Sequence, residues 1–404
     1  MKVLMVCNRL KVFGGAESYM FSVGDELRRL NHDVQYFGLF FGDERHGNSY
    51  GIYAKKGKTP WSIVQNRQNR LRFAKLLDLY KPDLIHAHLL YFTLTPSILV
   101  EAKKRNIPVI QTVHDGKIIC PSYQMFDLSK GVACSECVDG QFDRCFRKKC
   151  MKSSPILSWL AYEEARINKA KGYYEMIDCF VFPSAFMRDA HLRYGLEESK
   201  TVVLRNYSRI SAIGEPEARK GDYILFFGRI TRVKGVELLA TAIKQCPNLR
   251  FLIAGRGDLE KVFLNLPNCQ MVGFLEGKEL EAAISRASLS VFPSIWNENC
   301  PMGIAESIAR GTPVIGASVG GIPEMIIDGY NGLLFEAGSV DDLVSKLQLV
   351  MHNQGMLETM SQNCISSSGV YGVDEYTQKL LGIYNGVLER AVKQRSSIRN
   401  NEDN

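Results

Sequence analysis

VFPSIWNENCPMGIAESIARGTPVIGASVGGIPE, Val291 to Glu324, decides how the chain is read. Leu289 to Pro293 is a short apolar run of the kind that makes a buried parallel strand, and Pro293, Ser294 and Asn297 to Asn299 end it as a polar loop. Pro301 suits the first turn of a helix, where its missing N–H costs nothing; Ala305, Ile308 and Ala309 give that helix an apolar face, and Gly311 stops it. Val314 to Gly316 then reads as a second strand and Gly320-Gly321 as a turn. Glu298 and Glu306 fall on either side of the helix start. A helix N-terminus with Gly303 nearby offers unpaired N–H groups to an anion, while two carboxylates suit hydroxyl-rich groups. The implied ligand carries both, as a nucleotide sugar does. In open α/β sheets such ligands lie beyond the carboxyl ends of the strands, where this loop sits. Taken alone, two glutamates eight apart equally describe a solvated helix face.

Length and composition frame that reading. At 404 residues the chain exceeds the size at which one core stops growing, so two domains are expected. Hydrophobic content of 46% with 23% charged residues is that of a soluble globular protein, and no membrane-spanning run appears. The start, MKVLMVCNRL, has too short an apolar core for a signal peptide and reads better as a strand; a cytoplasmic location follows as the expectation, with the inner face of a membrane as a refinement. Eleven cysteines without an export signal argue for mostly reduced thiols. A net charge of +7 favours anionic partners such as nucleoside diphosphates or phospholipid headgroups, and is too small to imply nucleic acid without a recognisable module.

Strands are expected at Lys2 to Val6, Val34 to Phe37, Asp83 to His86, Val109 to Val113, Asp178 to Phe182 and Thr201 to Leu204, separated by helical stretches, which makes a parallel sheet. Gly14 and Gly15 follow the first strand and precede a helix from about Ala16 to Leu30. They either make a tight turn or let the backbone approach a phosphate or sugar. Lys55 to Lys75 interleaves arginine and lysine with Trp61, Ile63, Leu71 and Phe73, a pattern shared by a docked amphipathic helix and by a segment resting on an anionic membrane. His114 and Asp115 stand at a strand end. The insertion from Cys120 to Cys150 contains Cys134-x2-Cys137-x7-Cys145-x4-Cys150, a spacing that fits a structural zinc or a reduced, cysteine-rich acceptor loop. Arg144, Arg147, Lys148, Lys149 and Lys152 crowd the same region, either to hold an anion or to keep the loop soluble.

A polar stretch, Asn206 to Gly221, is the hinge candidate. Beyond it a second sheet is expected from Tyr223 to Phe227, Phe251 to Ala254, Gln270 to Gly273, Leu289 to Phe292 and Val314 to Gly316. Its first strand runs into Gly228-Arg229-Ile230-Thr231-Arg232-Val233-Lys234-Gly235, which brings two cations to the mouth of a helix, where a diphosphate gains charge pairing and N–H bonds. The domains are then 1–208, carrying the cysteine-rich insertion 120–150, and 209–372, followed by a terminal helix 373–392 returning to the first domain and a disordered tail 393–404.

Together these strings resemble the retaining glycosyltransferases of family 4. That signature has Glu-x7-Glu, a Gly-x-Pro-Val run and a double-glycine turn before Pro-Glu, met here by Glu298 and Glu306, Gly311 to Val314, and Gly320 to Glu324. The resemblance implies the GT-B fold, an α/β arrangement of two doubly wound Rossmann-like domains facing across a cleft. It implies a nucleotide-diphosphate sugar as donor and a saccharide or lipid-linked acceptor, with no cofactor required for catalysis. Arg229 and Lys234 would hold the diphosphate, Glu298 the sugar hydroxyls and Glu306 the ribose; Gly14, Gly15, His114, Asn299, Cys300, Pro301, Met302, Gly303 and Phe274 would complete the donor pocket. Asp115 is the acceptor candidate. An envelope, capsule or antigen polysaccharide role is the expectation. The alternatives are a nucleotide-sugar epimerase or a phosphorylase on the same fold, or a non-catalytic nucleotide-sugar-binding scaffold.

Overall fold

The computed structural model describes residues 1–208, 210 and 221–402; the hinge expected from Asn206 to Gly221 lies mostly outside them. Short β-branched and apolar runs form β1 (Lys2–Leu10), β2 (Asp33–Phe40), β3 (Leu84–Ala87) and β4 (Val109–Thr112), then β5 (Phe126–Asp127) and β6 (Val132–Ala133), β7 (Cys179–Phe182) and β8 (Thr201–Val203). β5 and β6 are an antiparallel pair inside the cysteine insertion. The others make a parallel sheet in the order β2-β1-β3-β4-β7-β8. The second half repeats the plan with β9 (Tyr223–Phe227), β10 (Arg250–Ala254), β11 (Cys269–Gly273), β12 (Leu289–Phe292), β13 (Val314–Ala317) and β14 (Gly332–Phe335), ordered β11-β10-β9-β12-β13-β14. β14 is a sixth strand that the expected second sheet does not include. It holds only Gly-Leu-Leu-Phe between turn residues, too short for a period to show.

Helices cover both faces of each sheet. In the first half they are α1 (Gly15–Arg29), α2 (Arg67–Tyr80), α3 (Leu99–Lys104), α4 (Asp143–Arg147), α5 (Pro155–Ala170) and α6 (Ala185–Tyr194). The second half carries α7 (Val236–Gln245), α8 (Gly277–Arg286), α9 (Met302–Ala309), α10 (Val340–Met351), α11 (Gln354–Ser367) and α12 (Val373–Glu402). Tyr19, Val23 and Leu27 recur every fourth residue and bury the inner face of α1. Ser184 begins α6 by accepting the Met187 N–H, and Gly195 ends it in the left-handed region.

α12 ties the end of the chain to its beginning. Tyr376, Leu380, Tyr384 and Val387, three or four residues apart, join the core of Val3, Met5 and Tyr19 in the first half. The tail from Lys393, expected to be disordered, instead continues α12 through Glu402, because no Gly or Pro interrupts residues 387 to 402 and the helix propagates. Among the described residues no helix is long and apolar enough to cross a membrane.

Chain order reverses between β1 and β3 in one sheet, and between β9 and β12 in the other. Loops leaving two adjacent strands at such a point diverge to opposite faces and leave a crevice.

Candidate active site

The loops after β9 and β12 meet at the switch point of the second sheet, where Leu289 pairs with Ile224 and Ser290 with Leu225. Gly235 lets them close up. It has φ +70°, and a β-carbon there would stand 1.7 Å from the Pro293 carbonyl oxygen. Lys234 is thereby brought to Glu298, its Nζ donating to Oε1 at 2.5 Å, while the Ser294 hydroxyl donates to the same oxygen at 2.7 Å. The ammonium also lies 5.6 Å from the centre of the Trp296 ring. Burial pushes the Glu298 carboxyl up, but the charge and hydrogen bond of Lys234, with the Ser294 bond, outweigh it and hold the group below the usual carboxylate range. Arg229 is exposed and outside the ion pairs of the described residues. Of the two cations expected at the diphosphate, Lys234 is therefore held by the site's own carboxylate and Arg229 faces solvent.

Glu306 is buried within α9, on the side of the loop expected for it. Pro301 stands at the position just before the helix, with ψ 115°, and α9 begins at Met302. Gly303 packs beneath the Phe227 and Phe292 rings, which a β-carbon would approach to 3.0 and 2.8 Å. Cys300 is buried, its thiol pushed up to about 12 by desolvation, and its carbonyl accepts from the Asn206 side chain at 3.1 Å. Met302 packs against the core of the first half, and Phe274 is exposed just after β11.

The same loop is wired across the crevice. Asn299 accepts from the Ser184 hydroxyl at 2.7 Å and donates to the Val113 carbonyl at 2.8 Å, so its amide spans to the strand end that carries His114. Asn297 donates to the carbonyls of Met125 and Cys134 in the cysteine insertion. The Gly-Gly turn lies directly on this loop: Gly321 N–H donates to Glu298 O at 2.7 Å, and β-carbons at Gly320 and Gly321 would stand 2.2 and 1.9 Å from the carbonyl oxygens of Glu298 and Asn299. Glu324 follows, and its carboxylate accepts the backbone N–H groups of Ala185 and Phe186 at 2.8 and 2.6 Å. A carboxylate from one half thus caps the N-terminus of α6 in the other. In the sequence Glu324 is only the last residue of the Pro-Glu motif, and nothing local names its partner.

Facing this, Gly14 and Gly15 open α1. Gly14 has φ −167°, and a β-carbon on Gly15 would meet nothing within 4 Å. His114 shares a 2.9 Å hydrogen bond between its Nε2 and Nδ1 of His88, and its ring edges against Tyr19. Burial lowers His114 to about 3 and His88 well below its ordinary value, so both imidazoles are neutral near pH 7. His86 continues the group, bonded to Thr112 at 2.8 Å and to Tyr384 of α12 at 2.6 Å. His88 is a functional candidate that the sequence did not flag, since only the β3–β4 register brings it to His114. Asp115 accepts from Tyr91 at 2.6 Å and from the Lys117 N–H at 3.0 Å, and burial raises its carboxyl. Lys117 is in turn paired with the buried Glu164 of α5 at 2.6 Å.

Cys120, Cys134, Cys137, Cys145 and Cys150 line one small cavity of about 20 Å³ in the insertion. Among the described residues, however, no three His, Cys, Asp or Glu side chains are arranged so as to hold a metal ion. The expectation of structural zinc therefore rests on the cysteine spacing alone.

Comparison with known proteins accounts for this arrangement. Residues 13–207 match the Glycosyltransferase Family 4 domain and residues 211–366 the Glycosyl transferases group 1 domain. The chain belongs to the GT-B glycosyltransferases. The sulfoquinovosyl transferase of Arabidopsis thaliana is 32% identical over 174 residues, 41% of this chain and 33% of that protein, so the match spans a third of that relative's length. Among solved structures, the sucrose-phosphate synthase of Thermosynechococcus elongatus superposes with a TM-score of 0.71 at 17% identity, covering 96% of this chain and 99% of the other. HepE of Anabaena, in complex with UDP-glucose, gives 0.68 at 16% identity over 96% of this chain and all of its own. These two likenesses show the shared fold. In this setting the crevice lies between the two halves of a GT-B glycosyltransferase.

Proposed function

We propose that this glycosyltransferase is a retaining enzyme that passes a sugar from a nucleoside diphosphate to an acceptor hydroxyl in envelope, capsule or antigen polysaccharide synthesis. The observation that carries the reading is the Lys234–Glu298 pair at the switch point, with solvent-facing Arg229 beside it. In this mechanism donor binding exchanges partners: the diphosphate takes Lys234 and Arg229, and Glu298, already ionised, accepts from the sugar hydroxyls. As the glycosidic bond breaks, negative charge grows on the leaving diphosphate, where Lys234 and Arg229 stabilise it. The acceptor attacks from the face the diphosphate leaves, and its proton passes to the departing phosphate oxygen. No side-chain base is needed. Asp115 fits this account as an acceptor-positioning group, because both of its oxygens are held by Tyr91 and Lys117. Neutral His114, fixed by His88, presents its remaining ring edge to the donor sugar. Glu306 accepts from the ribose.

Acceptor-dependent release of nucleoside diphosphate tests the reading, after a thermal-shift panel of UDP-, GDP- and ADP-sugars has found the donor. Product with the donor's anomeric configuration supports retention. Inverted product, interconversion of donor sugars without acceptor, or binding without turnover would each replace it. Metal analysis decides the zinc separately: about one equivalent with protected thiols supports it, and metal-free protein with Cys134, Cys137, Cys145 and Cys150 all reactive rejects it.

A further inference from the structure

The outer surface beside the cysteine insertion carries apolar side chains that the fold does not use. The short 3₁₀ helix Pro60–Ile63 packs against α5, setting the Trp61 and Trp159 rings 6.3 Å apart. Both stay well exposed, at 46% and 42%. Ile156, three residues before Trp159 and on the same face of α5, is 71% exposed, and Leu157 and Phe146 are exposed as well. The inner face of α5 is complete without them, through Ser158, Leu160, Ala161, Glu164 and Ala165. Farther along, the outer face reverts to Glu163, Arg166 and Lys169, as a solvated helix should. The anomaly is confined to the first turns, and it is matched by another segment that is distant in sequence.

Charge is skewed at the same place. No Asp or Glu occurs between Glu44 and Asp78, or between Asp143 and Glu163. Lys55, Lys56, Lys58 and Arg67 flank Trp61, and Lys149 and Lys152 precede α5; all six are exposed. The ion pairs formed in these segments use Arg45, His46, Arg70, Arg144, Arg147 and Lys148, which leaves those six outside them among the described residues.

We propose that this face docks on an anionic lipid bilayer, with Trp61, Trp159, Ile156 and Leu157 entering the headgroup boundary and the six cations pairing with lipid phosphates. Tryptophan rings with exposed branched aliphatics suit the boundary layer, where one edge is apolar and the other wet, and cations around them add attraction to anionic lipid. A nucleic acid would use the cations but leave Ile156 and Leu157 idle. The placement also serves the acceptor. Trp159 lies five residues before Glu164 on α5, about 7.5 Å along the axis, and Glu164 holds Lys117 next to Asp115. A docked bilayer would present a lipid-borne acceptor on the side of the cleft where Asp115 sits. That consequence rests on the proposed function, whereas docking itself is read without turnover.

Sedimentation of the whole protein with vesicles of phosphatidylcholine, with and without phosphatidylglycerol, tests it. Two variants are compared: Trp61→Ser with Trp159→Ser, and Lys55, Lys56 and Lys58 all to Gln. The wild type should bind the anionic vesicles at least about tenfold more tightly than neutral ones at low salt, and lose most of that preference at high salt. Each variant should lose about tenfold while keeping its melting temperature and its thermal shift with donor. Equal sedimentation with both vesicle types, or undiminished binding of both variants, would overturn the proposal. Self-association abolished by the tryptophan variant, without vesicle binding, would replace it with a contact between copies of the chain. Failure of donor binding in the wild type would count against the proposed function and leave docking untouched.

Discussion

Each half carries a glycine pair, Gly14-Gly15 at the start of α1 and Gly320-Gly321 on the Glu298 loop, and the same residues are there for different reasons. At Gly320-Gly321 the fold demands glycine: β-carbons would collide with the backbone of Glu298 and Asn299, and Gly320 has φ +61°. Gly14-Gly15 carries no such demand, since its conformation lies outside the left-handed region and the nearest atom to a β-carbon on either residue is 3.8 Å away, at Glu17. Glycines that the fold does not require leave the backbone open, and the proposed donor site would use that opening. The contrast extends to the walls themselves. The second half sets the paired Lys234 and Glu298 beside an exposed Arg229, while the first adds the neutral imidazoles of His88 and His114.

The largest expected effect lies on the charged wall. Lys234→Ala should lower turnover by a factor on the order of 10² to 10³, as removal of one preorganised charge stabiliser does. Donor affinity should fall less. Steady-state kinetics beside calorimetry reads both, and full activity would mean that the charged wall is not where the reaction's charge develops. Next, Gly321→Ala should cost about 1 to 3 kcal/mol of stability, because its β-carbon meets backbone and the Glu298 loop must shift. Denaturant melts would show it, with donor binding lost in parallel. Gly15→Ala should do the reverse, keeping stability within about 0.5 kcal/mol and raising the donor's apparent binding constant about tenfold. If it also melts early, or binds donor normally, the contrast between the two pairs fails.

A smaller effect separates the walls by pH. His86 and His114 are neutral in the folded protein, lowered to about 3 by burial, whereas an unfolded histidine titrates near about 6.5. The unfolded chain then binds the extra protons as pH falls below about 6.5. Stability present above that value should drain away toward pH 3, by up to roughly 1.4 kcal/mol per pH unit for each histidine. The Glu298 carboxyl, held below its usual range, keeps its charge through the upper part of that window. Thermal melts from pH 7 to 5 should therefore show an acid loss that is shallower in His114→Asn and unchanged in Glu298→Gln.

How much of this the sequence disclosed follows from the range of the forces involved. Five strands of the second sheet, the α9 loop and the Arg229–Lys234 spacing were legible because period, turn chemistry and motif are local. The short, glycine-led β14 has no period to read. Glu324 and Asn299 illustrate the other limit. Their partners, Ala185, Ser184 and Val113, lie more than a hundred residues away, and no local pattern announces a cap that crosses between halves. The cysteine spacing was legible as well, yet the structure gathers five thiols around one cavity without a metal-holding set. The tail from Lys393, expected to be disordered, lies in α12 as far as Glu402, where no Gly or Pro breaks the helix.

The central claim is that Lys234 stands where the leaving group's charge appears, and affinity for the two charge states tests it most directly. A nucleoside diphosphate carries more negative charge at its terminal phosphate than the same nucleotide bearing its sugar, so it mimics the departing group. Calorimetric titration of both into wild type and Lys234→Ala should show a loss several-fold greater for the free diphosphate than for the nucleotide sugar. Equal losses for the two ligands, or none for either, would contradict the account.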